Sequence, residues 1–101
     1  MVTLFEDHDT RKLTEKDVKR QVRDYLRIRG WFVFHVWQGG MSFKGISDLI
    51  AIKNGKVLFI ECKSPKGQLR LDQKKFKESI EASGGIYVVA RGYEDVEEVI
   101  K

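Results

Sequence analysis

Residues 47–63 run Ser47-Asp48-Leu49-Ile50-Ala51-Ile52-Lys53-Asn54-Gly55-Lys56-Val57-Leu58-Phe59-Ile60-Glu61-Cys62-Lys63. Two apolar, β-branched runs flank Asn54-Gly55, a dipeptide suited to the positive-φ positions of a two-residue hairpin turn. A tight turn there pairs residue 53 with 56. Extending that register sets Asp48 opposite Glu61, with Cβ atoms about 4.5–5.5 Å apart. Side chains alternate along a strand, so Leu58, Ile60 and Cys62 share one face while Val57, Phe59, Glu61 and Lys63 share the other. Both faces begin apolar, as in a strand covered on both sides, and two opposite charges then appear at its end. An exposed Glu61–Lys63 ion pair, worth about 0–1 kcal/mol, accounts for those two charges but not for Asp48. Two carboxylates facing each other repel unless positive charge sits between them. A divalent cation with oxygen ligands resolves the conflict, and Lys63 offers a second way to offset it.

Outward from the hairpin, the elements alternate in type. Thr14 resembles a helix N-cap with Asp17 as its capping-box partner, and Val18, Val22, Tyr25 and Leu26 recur at helical spacing up to Gly30. Residues 31–37 are aromatic and β-branched and predict a strand. A glycine-containing loop, Gly39-Gly40 to Gly45, leads to the strand over 47–53, and the hairpin returns over 56–63. Pro65-Lys66-Gly67 breaks the pattern. A second helix is expected over about 70–83, with Leu69, Gln73, Phe76 and Ile80 on one face, ended by Gly84-Gly85. A strand over 86–90 and a short helix over 93–100 follow. The order αβββαβα predicts an α/β domain over 14–101, its central mixed sheet flanked by helices, with residues 1–13 as a tail or arm anchored at Leu4-Phe5.

The 101 residues suit one domain, and 42% apolar with 34% charged residues suits a globular chain rather than a disordered one. No apolar run approaches the roughly 18 residues of a membrane span. Residues 1–13 lack the apolar stretch of a secretory signal, and the single cysteine, Cys62, excludes an intramolecular disulfide framework; a cytoplasmic location is expected. The net charge of +4 is concentrated. Residues 16–29 carry Lys16, Lys19, Arg20, Arg23, Arg27 and Arg29 against Asp17 and Asp24. Residues 63–77 carry Lys63, Lys66, Arg70, Lys74, Lys75 and Lys77 against Asp72. Such a distribution fits a phosphate-binding footprint and equally a pair of solvated helix faces. Lys19, Arg23, Lys44, Ser47, Ser64, Lys66, Arg70 and Lys74 are the candidate nucleic-acid contacts.

Two further polar residues fall on apolar stripes. Glu15 lies three residues before Val18 and seven before Val22, so its carboxylate is expected to face the sheet; a first-turn Glu also complements the helix dipole. Gln73 falls between Leu69 and Phe76 on the inward face, where it would bond backbone or, alternatively, contact phosphate or orient water near Lys63. His8 and His35 have no metal-ligand spacing. Cys62 points away from Glu61 and is expected in the core. The glycines are too sparse for a nucleotide cradle and suggest a flexible approach to Asp48 along which a nucleic-acid backbone could come close.

Gly45-Ile46-Ser47-Asp48-Leu49 followed by Glu61-Cys62-Lys63 resembles the PD-(D/E)XK nuclease signature, and over about 14–100 the chain resembles the VRR-NUC domain, the virus-type replication-repair nuclease module. The match runs through Glu15, Gly45-x-Ser47-Asp48, Glu61-x-Lys63, Gln73 with Phe76, and Gly85-x-Tyr87-Val88-Val89. The resemblance implies a restriction-endonuclease-like core standing alone, as in compact phage and bacterial members. It implies a Mg²⁺-dependent deoxyribonuclease, with Mn²⁺ also supporting activity. Glu15, Asp48, Glu61 and the Cys62 backbone carbonyl would be metal ligands, Lys63 would position or activate the attacking water, and Gln73 would join the catalytic set. Ser47 stands where the superfamily name expects Pro, and Arg70 stands where a Ser helix cap is expected. Stand-alone members are similar to Holliday-junction resolvases, which implies a homodimer acting on branched DNA. A non-catalytic branched-DNA-binding module and a nuclease-fold subunit of a replication or restriction complex are the competing readings. Trp31, Phe32, Phe34 and Trp37 exceed what a small core needs, and some are expected at a partner surface.

Overall fold

A computed structural model describes residues 13–101; the expected tail, its Leu4-Phe5 anchor and His8 lie outside the described residues. Seven elements follow in the expected order: α1 (Glu15–Ile28), β1 (Phe32–His35), β2 (Leu49–Lys53), β3 (Lys56–Cys62), α2 (Leu71–Ala82), β4 (Ile86–Ala90) and α3 (Tyr93–Ile100). The strands lie side by side as β1-β2-β3-β4, antiparallel through β3 and parallel from β3 to β4. The sheet is therefore mixed, with α2 as the crossover that parallel neighbours require.

Asn54 and Gly55 both take positive φ, 51° and 78°, as the two-residue turn demands. Lys53 pairs with Lys56 and the ladder extends to Leu49 opposite Ile60. One step further along this register brings Asp48 opposite Glu61. Thr14 and Asp17 form the reciprocal capping box at the start of α1. Leu13 is buried in the core, so packing starts within the stretch expected as a tail.

The main core lies between the sheet and the α1–α3 layer. Val18, Val22 and Leu26 of α1 and Val96 of α3 meet Leu49, Ala51, Leu58, Ile60 and Cys62, all buried. Cys62 belongs to this face, as the alternation predicts, and burial pushes its thiol pKa up. On the other face α2 brings Phe76 against Phe59 and Tyr87, edge to ring. Phe43, from the loop before β2, joins the same cluster.

β1 is shorter than the predicted 31–37. The chain leaves the ladder after His35, although Val36 N–H still donates to the Asp48 carbonyl at 2.9 Å. The Gln38 amide then donates to the carbonyls of Ile46 and Ser47 and closes the loop 36–47 on itself. Gly45, expected to leave room for a nucleic-acid backbone, is instead packed against protein. Its φ is +81°, and a Cβ there would collide with the Asp72 carbonyl at the start of α2. The glycine is needed because two stretches of backbone meet. Gly45→Ala is expected to cost about 2 kcal/mol or more from left-handed strain plus this collision, read as a lowered urea midpoint at unchanged slope.

Candidate active site

The site forms where β2 begins and β3 ends, between the N-terminal ends of α1 and α2. The hairpin register delivers Asp48 and Glu61, α1 supplies Glu15, and α2 supplies Gln73. One carboxylate oxygen from each of Glu15, Asp48 and Glu61 lies within 4.8 Å of the others. Asp48 and Glu61 are buried, at 8% and 1% exposure. Glu15 departs from expectation. As the first residue of α1 it is exposed rather than packed on the sheet, and it brings its carboxylate to the others from the solvent side.

Each side chain is held by a named contact. Asp48 Oδ2 accepts a hydrogen bond from Cys62 N–H at 2.8 Å. This bond locks the start of β2 to the end of β3 beyond the regular ladder. Glu61 Oε2 accepts from Gln73 Nε2 at 2.9 Å. The other end of the same amide, Gln73 Oε1, accepts from Arg70 N–H at 2.9 Å. The bond that a serine at position 70 would accept goes elsewhere: Asp72 Oδ1 receives Gln73 N–H, and the Gln73 side chain supplies the return bond to the Arg70 backbone. Lys63 is buried, its Nζ 3.6 Å from Glu61 Oε2, and Gly67 packs closely over its stem. The Arg91 guanidinium holds that turn by donating to the Gly67 carbonyl at 2.8 Å. Lys19, one helical turn beyond Glu15, lies 3.7 Å from Asp48 Oδ1.

The electrostatics are unbalanced. Burial, reinforced by Asp48 and only partly offset by Lys63, pushes the Glu61 carboxyl up to about 8. Glu61 Oε1 is buried and has no hydrogen-bond partner among the described residues. A buried carboxylate oxygen without a donor is costly. Three converging carboxylates form a hard-oxygen donor set that fits a divalent cation.

The candidate nucleic-acid contacts divide. Lys19 and Arg23 line a groove of about 330 Å³ with Lys16, Asp17, Arg20 and His35, beside Asp48. Burial and the cations Arg23, Lys19 and Arg27 hold the His35 pKa below its ordinary value. Lys44 and Arg70 line a second groove, of about 370 Å³, with Leu71, Asp72 and Lys75 at the start of α2. Lys66 and Lys74 are exposed and Ser64 is half-buried, outside both grooves. Ser47 is a correction: it is fully buried, its hydroxyl donating to the Leu49 carbonyl, and has no surface to offer a phosphate. A further groove, of about 500 Å³, lies among Arg29, Lys53, Lys56 and Lys101 at the opposite end of β3 from Glu61, so it has no part in the chemistry at the carboxylates.

The Lys19–Asp48 contact, the Gln38 loop closure and the Arg91 pin were not legible as parts of the site in the sequence. Lys19 is expected from the sequence as a nucleic-acid contact, not as a partner of Asp48, and nothing in the local pattern sets Gln38 or Arg91 apart.

The sequence profile of the archaeal Holliday junction resolvase (Hjc) family matches residues 10–91. The chain belongs to this family. It is a nuclease family of the PD-(D/E)XK type, as the Asp48, Glu61-x-Lys63 arrangement suggests. A solved structure of a VRR_NUC domain superposes with a TM-score of 0.73 at 21% identity, covering 87% of this chain and 96% of that one. The likeness establishes the same fold. No curated protein matches the chain. Among the described residues no helix is long and apolar enough to cross a membrane.

The raised Glu61 pKa has a stability consequence with a definite sign. The folded state holds the proton more tightly than the unfolded chain. The resulting stabilisation is complete below the ordinary value of 4.5 and is lost as pH rises through about 8. The melting temperature of the metal-free protein is expected to fall between pH 5 and 8.5. Glu61→Gln, which mimics the neutral carboxyl, should flatten that slope in melts followed by circular dichroism.

Proposed function

We propose that this Hjc-family protein is a Mg²⁺- or Mn²⁺-dependent endonuclease that hydrolyses phosphodiester bonds in branched DNA, and that it does so as a homodimer in the cytoplasm. The single observation that carries the metal-dependent reading is the convergence of one carboxylate oxygen from each of Glu15, Asp48 and Glu61, where Glu61 also has a buried oxygen with no hydrogen-bond partner among the described residues. In this reading residues 14–101 are the nuclease domain. Glu15, Asp48, Glu61 and the Cys62 backbone carbonyl hold the ion. Bound there, a divalent cation supplies positive charge against the scissile phosphate and makes water a better nucleophile.

The remaining roles belong to the chain. Lys63 is a buried ammonium at the edge of the carboxylate cluster; in this reading it orients the attacking water and stabilises charge building on the phosphate oxygens. Gln73 fixes the Glu61 rotamer through a bond that leaves the second carboxylate oxygen to the ion. The cations of the two flanking grooves supply phosphate contacts, which makes binding strongly salt-dependent. Lys63→Ala is expected to abolish cleavage of four-way junctions, flaps and duplex in Mg²⁺ while leaving DNA affinity largely intact. Full activity of that variant in a gel-based cleavage panel would overturn the assigned chemistry. A wild-type chain that binds these DNAs but cuts none in Mg²⁺ or Mn²⁺ would favour a binding module instead.

The dimer reading rests on a surface that no element among the described residues covers. α2 shields β3 and β4 only. Phe32 pairs with Ile52 and Phe34 with Ile50 across β1–β2, on the face opposite the buried Val33 and Ala51. The two phenyl rings stand 5.4 Å apart, and Phe32 is 64% exposed. With Trp37, Met41 and Phe43 of the adjoining loop also exposed, the patch presents about 700 Å² of side-chain surface at roughly 200 Å² per large residue. A stable two-fold interface takes about 800 Å² from each partner, so a second copy suits this face. It would bring two active sites into one particle, as symmetric cutting requires. Sedimentation is expected to give twice the 11.8 kDa chain mass. Phe32→Asp should return the protein to monomer; a monomeric wild-type chain at micromolar concentration counts against the dimer.

A further inference from the structure

Two ammonium groups stand against the carboxylate cluster, and they are held differently. Lys63 is 7% exposed and enclosed beneath Gly67. Lys19 is 33% exposed at its side chain and borders the α1–β1 groove. Its stem therefore has a second place to lie, and that of Lys63 does not. Two neighbouring cations in the groove already face carboxylates: Arg20 lies 3.4 Å from Asp17, and Arg23 lies 3.0 Å from Asp24. His35, on the β1 side, completes the lining.

We propose that Lys19 is a displaceable counter-ion: it holds Asp48 in the metal-free protein, then turns into the α1–β1 groove once the carboxylates hold a divalent cation, where it grips the DNA phosphate next to the scissile one. The inference rests on the metal-dependent reading above and adds to it a residue with two successive positions. The physical reason is competition for one carboxylate. An ammonium 3.7 Å from Asp48 Oδ1 would stand within a few ångströms of an ion bound by that group, and like charges at such range repel strongly even at a surface. Lysine suits the exchange because its charge is compact and its stem flexible. In the metal-free state Lys19 partly neutralises Asp48, as Lys63 does the facing Glu61. In the loaded state the same charge adds to Lys16, Arg20 and Arg23 along the path of the substrate backbone.

Lys19 then has opposite effects on two ligands: it opposes metal binding and favours DNA binding. A residue that only supports the fold, or only touches DNA, does not combine these signs. The test measures Mn²⁺ affinity by isothermal titration calorimetry without DNA, for the wild-type chain, Lys19→Met, Lys19→Gln and an Arg20→Met control. Both Lys19 variants should bind Mn²⁺ about fivefold more tightly, the scale of a partly exposed ion pair removed. Arg20→Met should match the wild type. In a second arm, DNA binding is followed by fluorescence anisotropy in Ca²⁺ across a salt series. Lys19→Met should weaken binding and lower the salt slope by about 1. Circular dichroism melts exclude misfolded variants, and the pair of substitutions guards against either one failing to fold. Unchanged or weaker Mn²⁺ binding in both variants, beside normal wild-type binding, overturns the exchange alone. So does an unchanged salt slope. No Mn²⁺ binding by the wild-type chain would remove the metal reading and this inference together.

Discussion

The Cys62 N–H to Asp48 Oδ2 bond, 2.8 Å long and buried, joins the last residue of β3 to the residue just before β2. Asp48 lies one step outside the ladder, so without this bond its position would depend on the loop alone. With it, the two acids are set face to face at the end of a hairpin whose register Asn54 and Gly55 impose at the other end. Burying two carboxylates together opposes folding, and the surrounding structure is arranged around that difficulty. Lys63, Lys19 and the Gln73 amide all converge on these two groups. Gln38 and Arg91 fix the loops that lead into and out of them. The geometry that raises the energy of the metal-free site is the one that suits a cation.

Family membership and fold agree with this arrangement from independent directions. The resolvase-family match is one of sequence over residues 10–91, whereas the VRR_NUC likeness is one of backbone shape at low identity. In this chain one end of a short sheet gathers acids from both faces. α1 approaches from the core side and α2 from the other, and each contributes a residue from its first turn: Glu15 and Gln73. Helix N-termini carry partial positive charge, so both helices also direct favourable dipoles toward a region that must accept phosphate.

Much of the sheet and of the carboxylate pair was legible because it follows from short-range rules. The Asn-Gly turn, strand alternation and the Thr14–Asp17 box each act within a few residues, and each formed as read. Structure departs from sequence expectation where distant backbone decides. Loop neighbours make Gly45 look like an opening, yet it is glycine because Asp72 lies against it. Ser47, a candidate contact by sequence, belongs to the buried approach to β2. Glu15 kept its place near the other acids while losing the expected burial, since helical phase gives direction but not depth. The role of Lys19 was hidden for the opposite reason: among many cations on α1, only the tertiary fold shows which one reaches Asp48.

The two bonds of the Gln73 side chain run in opposite directions, one to the backbone of Arg70 and one to Glu61. The residue therefore works as a spacer of fixed length between a helix end and an acid. Asparagine carries the same amide on a stem one carbon shorter and could satisfy one end or the other, but not both. What position 73 requires is reach as much as polarity, and the separation between the start of α2 and the end of β3 is gauged by a single side chain.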